Sequence, residues 1–279
     1  MTPYILTLIC PDQAGIIAKI TQFLYAHESN ILDLDQHSTQ DEESLFFMRC
    51  QFSCPSPSHA KTIKNQLPSI TTPLKANYQL HSQENRARMG IMVSQHDHCL
   101  HELLYQVYSG SLNVKIPFII SNHPTHQKIA EHYQIDYHHI PANPKDRKES
   151  EILDIICPQS DFVVLARYMQ ILSADFLNTY NAPIINIHHS FLPSFKGAGA
   201  YEQAYKKGVK LIGATAHYVT AGLDEGPIIT QTVEQISHRD DISQLKEKGK
   251  TLEKTGLLSA IKYHIDQKVI IWNNKTIVF

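Results

Sequence analysis

From Met89 onward the chain repeats one unit, a short apolar stretch followed by a segment with apolar residues at helical spacing. That alternation narrows the fold more than any other feature. GIMVSQ, HCLHELLYQVY, VKIPFIIS, HPTHQKIAEHY, KESEILDIIC, DFVVLA and SADFLNTY follow one another in this order. Each strand rejoins the same sheet through a crossover, so the strands run parallel and helices cover both faces. The expected architecture is a doubly wound, Rossmann-like α/β domain, in which ligands collect at the carboxyl ends of strands. No GxGxxG or GxxxxGK loop follows its first strand, where VSQHDHCLHELL stands, so dinucleotide and nucleoside triphosphate sites lose their main support.

The pattern before Met89 is different. Residues 3 to 10 read as a buried strand and 14 to 27 as a helix, followed by extended stretches at 30 to 38 and 45 to 53. A helical segment at 59 to 67 and a strand near 76 to 81 complete the order βαββαβ, the ferredoxin-like arrangement of a four-stranded antiparallel sheet backed by two helices. The polar run SQENRAR, 82 to 88, reads as a linker. A first domain over 1–83 and a second over 88–279 are expected.

Composition removes several functional classes. Lys and Arg number 25 against 27 Asp and Glu, for a net charge of −2, and no block of like charge tracks a polyanion. Nucleic acid is not an expected partner. No apolar run approaches the roughly 18 residues of a membrane span, and Pro11 and Asp12 end the N-terminal apolar stretch, which has no basic flank. The five cysteines contain no CxxC pair, so neither a disulfide framework nor a thiolate zinc site is suggested. A cytoplasmic protein without metal is the expectation.

Chemistry concentrates in PIINIHHSFLPSFKG, 183 to 197, and GATAHYVTAGLDEGPII, 213 to 229. Side chains alternate along a strand, so Asn186 and His188 share one face while His189 is expected on the other. A metal held by both adjacent histidines is therefore not expected. Taken alone, Asp224 beside Gly226 reads as a turn residue, Glu225 as its solvated neighbour, and His217 as either a packed strand histidine or a support for Asp224.

The spacing of these segments resembles the folate-dependent formyltransferase superfamily. Within it, HHSFLPSFKG, LARYMQILS (165 to 173), GVKLIGATAHYVT (208 to 220) and the ending NKTIVF are similar to formyltetrahydrofolate deformylases over nearly the whole chain. The resemblance implies a catalytic triplet of Asn186, His188 and Asp224. It further implies a folate pocket formed by Arg167, Tyr168, Met169, Ile171, Leu172, His217, Val219 and Thr220. The reaction implied is hydrolysis of 10-formyltetrahydrofolate to formate and tetrahydrofolate without a cofactor, with a place in purine synthesis and one-carbon balance. Breaking that C–N bond requires an oxyanion donor, an activated water and a proton for the leaving nitrogen. Asn186 and a charged His188 can supply donors, and Asp224 can hold His188 charged and accept a proton from water.

The same resemblance makes the first domain an ACT module, with CPDQAG (10 to 15) and NILDLDQHS (30 to 38) in the expected places. An amino acid effector, with glycine and methionine as first candidates, is implied near Asp12, Gln13 and Gly15 at a contact between subunits of a homo-oligomer. An Asp cap and a glycine turn before the helix explain the same three residues without a ligand. One segment departs from the deformylase pattern: GAGAYEQAYKKG, 197 to 208, is closer to the transferases at Gly199, Ala200 and Glu202. Transfer to glycinamide ribonucleotide therefore stays open, although the glycine-rich phosphate loop of such transferases is missing after the first catalytic strand.

Overall fold

A computed structural model describes residues 2–40, 43–143, 145–193 and 199–279. The part of the HHSFLPSFKG motif made by Ser194, Phe195, Lys196 and Gly197, together with Ala198, lies outside the described residues. Two compact units emerge, one of 1–86, 266–272 and 277–279, the other of 87–265 and 273–276.

In the first unit, β1 (Thr2–Pro11), α1 (Ile16–Ala26), β2 (Asn30–Ser38) and β3 (Leu45–Cys54) are followed by α2 (Pro57–Gln66), the single turn α3 (Pro68–Thr71) and β4 (Asn77–Ser82). The sheet order is β2-β3-β1-β4 with every pairing antiparallel, as the βαββαβ pattern requires. Ile16, Ile20 and Leu24 recur every four residues along α1 and are buried. They join Leu6 and Leu8 of β1, Phe52 of β3 and Ile63 of α2 in one core. The helix expected at 59 to 67 begins two residues earlier, because Pro57 suits a first helical turn where its missing N–H costs nothing. Pro68 then opens α3 for the same reason.

The second unit contains β5 (Ala87–Val93), α4 (His98–Tyr108), β6 (Val114–Lys115), β7 (Phe118–Ser121), α5 (Gln127–His132), β8 (Asp136–His139), α6 (Glu149–Gln159) and β9 (Phe162–Ala166). It continues through α7 (Ala174–Tyr180), β10 (Ile184–His188), α8 (Ala200–Lys207), β11 (Leu211–Tyr218), β12 (Ile228–Gln235) and the 24-residue α9 (Ile242–Ile265). The main path of the sheet runs β12-β11-β10-β9-β5-β7-β8. β10, β9, β5, β7 and β8 are mutually parallel, and β11 runs antiparallel to both of its neighbours, β10 and β12. The expected VKIPFIIS strand is broken into β6 and β7, since Pro117 between them has no N–H for the ladder.

Two differences from the sequence expectation concern the C-terminus. Residue spacing predicts no element there, whereas the structure has α9 and a hairpin of β13 (Val269–Trp272) and β14 (Lys275–Val278). The expected second domain ran to 279, but residues 266–272 and 277–279 group with the first unit. The carbonyl of Asp266 accepts from Nε of buried Arg49 at 3.0 Å, and Trp272 meets Phe47 edge-on with ring centroids 6.2 Å apart. Arg49 also pairs with Asp33 at 2.9 Å, which compensates its buried charge. Among the described residues, no helix is long and apolar enough to cross a membrane.

Leu8 is fully buried on the central strand β1, whereas Leu32 on edge strand β2 is half exposed. Leu8→Ala should therefore cost about 2–5 kcal/mol through lost burial and a residual cavity, and Leu32→Ala within about 0.5 kcal/mol. Urea unfolding of the two variants against the parent protein measures the difference.

Candidate active site

β10 has parallel β9 on one side and antiparallel β11 on the other. Its register places Asn186 opposite His217, and with His188 two residues on, three polar side chains line one face. The ring of His217 donates from Nδ1 to the carbonyl of Tyr218 at 2.9 Å, which leaves Nε2 to accept from Nδ2 of Asn186 at 3.2 Å. Burial pushes the His217 pKa down, in keeping with this neutral tautomer. His217 therefore orients the Asn186 amide, and it lies 3.7 Å from Asp224 as well.

Asp224 reaches the site by a return path. β11 leaves the sheet after Tyr218, yet Oδ2 of Asp224 lies 3.2 Å from Nδ1 of His188. The turn closes because Tyr218 N–H donates to Pro227 at 3.0 Å and Gly226 has no side chain, since a Cβ there would stand 1.8 Å from the Tyr218 carbonyl oxygen. The hydrogen bond from His188, outweighing burial, holds the Asp224 carboxyl below its ordinary range, so it is a carboxylate at neutral pH. Nε2 of His188 is buried without a hydrogen-bond partner among the described residues.

These groups border a cavity of about 280 Å³. Every residue assigned to the triplet or the folate pocket lines it: Asn186, His188, Asp224, Arg167, Tyr168, Met169, Ile171, Leu172, His217, Val219 and Thr220. Leu165, Gln170, Ile187, His189, Ala221, Gly222 and Leu223 line it too and were not anticipated. His189 departs from the expected alternation, because β10 ends at His188 and strand geometry no longer governs the next residue. Asp12, Gln13 and Gly15 are not among the residues that line this cavity; they belong to the exposed loop between β1 and α1 of the first unit. Asp12 makes no side-chain cap to α1, which starts after Gly15; its hydroxyl partner is Ser44 at 3.5 Å. Glu202, in the departing segment, pairs with Lys246 at 2.7 Å and does not line the cavity.

A family described as "Formyl transferase" matches residues 87–261, and the ACT domain matches 4–68. A formyltetrahydrofolate deformylase of Bacillus subtilis (strain 168) is 42% identical over 98% of this chain and 93% of its own length. The chain belongs to the formyltetrahydrofolate deformylase family. A deformylase crystal structure from Pseudomonas syringae pv. tomato, 39% identical, superposes with a TM-score of 0.94, covering 100% of this chain and 95% of that one. The glycinamide ribonucleotide transformylase 1 structure from Symbiobacterium toebii, 27% identical, gives a TM-score of 0.65 over 72% of this chain and 98% of that one. Deformylase and transformylase thus share the catalytic unit's fold, and side chains around the cavity must separate them.

Two buttresses of this deformylase-family site escaped the sequence reading. Thr215, fully buried on β11, donates to the Ser190 carbonyl at 2.9 Å and accepts from the Leu192 amide at 3.1 Å, which pins the chain just after His188. Ser94, in the VSQH loop, donates to Asn122 at 2.7 Å and accepts from the Met169 amide at 3.0 Å, which fixes the segment after β9. A third feature is a buried polar cluster. Glu253 of α9 accepts from Nε2 of His98 and from the Tyr201 hydroxyl, each at 2.8 Å, with Nε of Arg167 at 3.5 Å. Tyr201 fits only because Gly249 is bare, as a Cβ there would stand 1.9 Å from its oxygen. His98, Cys99 and Glu253 have metal-ligand chemistry and proximity. Their donor set does not suit a cation: both Glu253 oxygens are taken, a guanidinium lies alongside, and burial pushes the Cys99 thiol up.

His189 is pushed down to about 4 by burial, then by the neighbouring Arg167 and His188 charges. The folded protein refuses a proton there that the unfolded chain takes near pH 6.5, so stability falls as pH drops from about 6.5 to about 4. The slope due to this one residue approaches ~1.4 kcal/mol per pH unit. His189→Gln should flatten the curve by that amount in urea unfolding between pH 7 and pH 5. Parallel curves for the two proteins would remove His189 from the account.

Proposed function

We propose that the chain hydrolyses 10-formyltetrahydrofolate to tetrahydrofolate and formate at the cavity beside β10. The observation that carries this reading is the meeting of Asn186, His188 and Asp224 on one cavity wall in a chain 42% identical to a relative named for the reaction. Water adds to the formyl carbon and gives a proton to the Asp224 carboxylate, while the carbonyl electrons move onto oxygen. The Asn186 amide and His188 Nε2 donate to that oxyanion. When the C–N bond breaks, its electron pair takes a proton delivered from His188 or Asp224, and the acid formed leaves as formate and a proton. Such donors, fixed before the reaction, are worth about 10²–10³ in rate each. No step calls for a metal or a nucleotide.

Leu165, Met169, Leu172 and Val219 give the pocket apolar walls for the pterin, and exposed Met169, Ile171 and Leu223 offer a path for the rest of the folate toward solvent. Water is favoured as acceptor because the VSQH loop is committed to structure. The Ser94 hydroxyl serves Asn122 and Met169, and its carbonyl accepts from His126 at 2.7 Å. The shared fold with the transformylase supports formyl transfer to an amine as the second reading. Five free cysteines, four of them buried, favour a reducing compartment such as the cytoplasm, where the formate made would serve purine synthesis.

Purified protein should release formate from 10-formyltetrahydrofolate after treatment with a chelator. Asp224→Asn should cut kcat by about 10²-fold or more with a much smaller change in KM. Formylated glycinamide ribonucleotide appearing faster than formate would favour the transferase, and rescue by zinc after chelation would overturn the metal-free mechanism.

The ACT unit supports a regulatory reading, in which an amino acid, with glycine and methionine tried first, binds near Asp12, Gln13 and Gly15 where two copies of the chain meet. Titration of the full chain should change its activity by a factor within about 5–150. Asp12→Ala should abolish the response while leaving uninhibited turnover intact. A response unchanged in that variant would place the effector elsewhere.

A further inference from the structure

The position of Arg167 raises a question that the triplet leaves unanswered. Arg167 follows directly after β9 and holds a left-handed backbone with φ 65, a conformation that a bulky residue keeps only where its surroundings enforce it. Its side chain is nine-tenths buried, and it lines the cavity together with His188 and His189. A buried guanidinium needs its charge compensated and its five N–H groups satisfied, and these are separate requirements. Glu253, at 3.5 Å, answers the first. It does not answer the second, since its oxygens already accept from His98 and Tyr201, and the contact with Arg167 lacks hydrogen-bond geometry. Nε and Nη1 of Arg167 are left without partners among the described residues.

Nε and Nη1 lie on different edges of the guanidinium, and Nε stays beside Glu253, so the buried Nη1 group is the unclaimed cationic donor that a small carboxylate can accept from. We infer that Arg167 is a product-binding residue, holding the formate ion between its guanidinium and Nε2 of His188 until tetrahydrofolate has left. The ligand class is a one-carbon carboxylate, because the Nη1 group is buried in a residue that lines the same cavity as His188, whereas the carboxylates of a folate tail stay solvated. Glu253, His98 and Tyr201 act through Arg167 as positioning residues. They neutralise the buried charge while leaving Nη1 unclaimed.

This inference rests on the hydrolytic reading above, and its test is separable from it. ¹³C-labelled formate is titrated into the full-length protein and followed by NMR, and formate is also used as a product inhibitor of the hydrolysis assay. Arg167→Gln should weaken formate binding about tenfold or more, with Arg167→Lys in between because it keeps the charge and loses the planar Nη1 donor. KM for 10-formyltetrahydrofolate should move less than the formate inhibition constant does. Equal formate affinity in all three proteins would overturn the inference, and so would a KM that rises in step with the inhibition constant, which marks a folate contact instead. Should Arg167→Gln fail to fold, the parent protein still decides. Formate, but not chloride at equal ionic strength, must raise its Tm in a concentration-dependent way, and no rise overturns the proposal. Formate binding without formate release would instead count against hydrolysis and leave the anion site standing.

Discussion

The antiparallel pairing of β10 with β11 at the end of an otherwise parallel run is the arrangement on which the site depends. A parallel neighbour such as β9 brings its own carboxyl end alongside that of β10, and with it the segment from Arg167 to Leu172. An antiparallel neighbour runs the other way, so His217, next to the last residue of β11, faces Asn186 directly across the ladder. Asp224 then returns over the same face through the turn that Gly226 permits. Thr215 completes the arrangement by fastening the chain after His188 to the interior of β11.

Much of this was legible in the sequence because local patterns carried it. Period-two and helical spacing gave both units, and the motif around Asn186 and His188 sat where an apolar strand turns polar. The resemblance supplied Asp224, 36 positions beyond His188 in a segment that reads by itself as a turn. Other features had no local signal. Glu253 lies in a helix whose stretch ISQLKEKGKTLEKTGL follows no simple amphipathic pattern, and α9 buries Gly249, Glu253 and Gly256 among leucines. A carboxylate inside such a charged run reads as solvated surface. Only the fold, by bringing residue 253 to residues 98, 167 and 201, turns it into a buried group with three polar neighbours. The end of the chain was misassigned for a related reason, since grouping with the first unit depends on contacts such as Arg49 with Asp266 that span more than 200 positions.

The hydrogen-bond partners of His217 show how a single unshared requirement can decide a residue's role. Spacing left it between core packing and support for the acid. It satisfies both descriptions: the ring is buried, and its two nitrogens join the Tyr218 backbone to the Asn186 side chain. The buried surroundings that make it a core residue also keep it neutral, and a neutral ring is what lets it accept from the amide.

The Tyr201 hydroxyl seated over Gly249 has an evolutionary corollary. Neither residue can drift alone, because any side chain at 249 collides with the tyrosine that caps Glu253, and loss of the tyrosine strips one of the carboxylate's two strongest bonds. Substitutions at 201, 249 and 253 should therefore be epistatic, tolerated in combinations and harmful singly. A lineage exchanging one acceptor for another would have to cross that barrier through paired changes, so the last helix of the chain, which carries none of the reacting groups, helps hold the lineage to the chemistry it has.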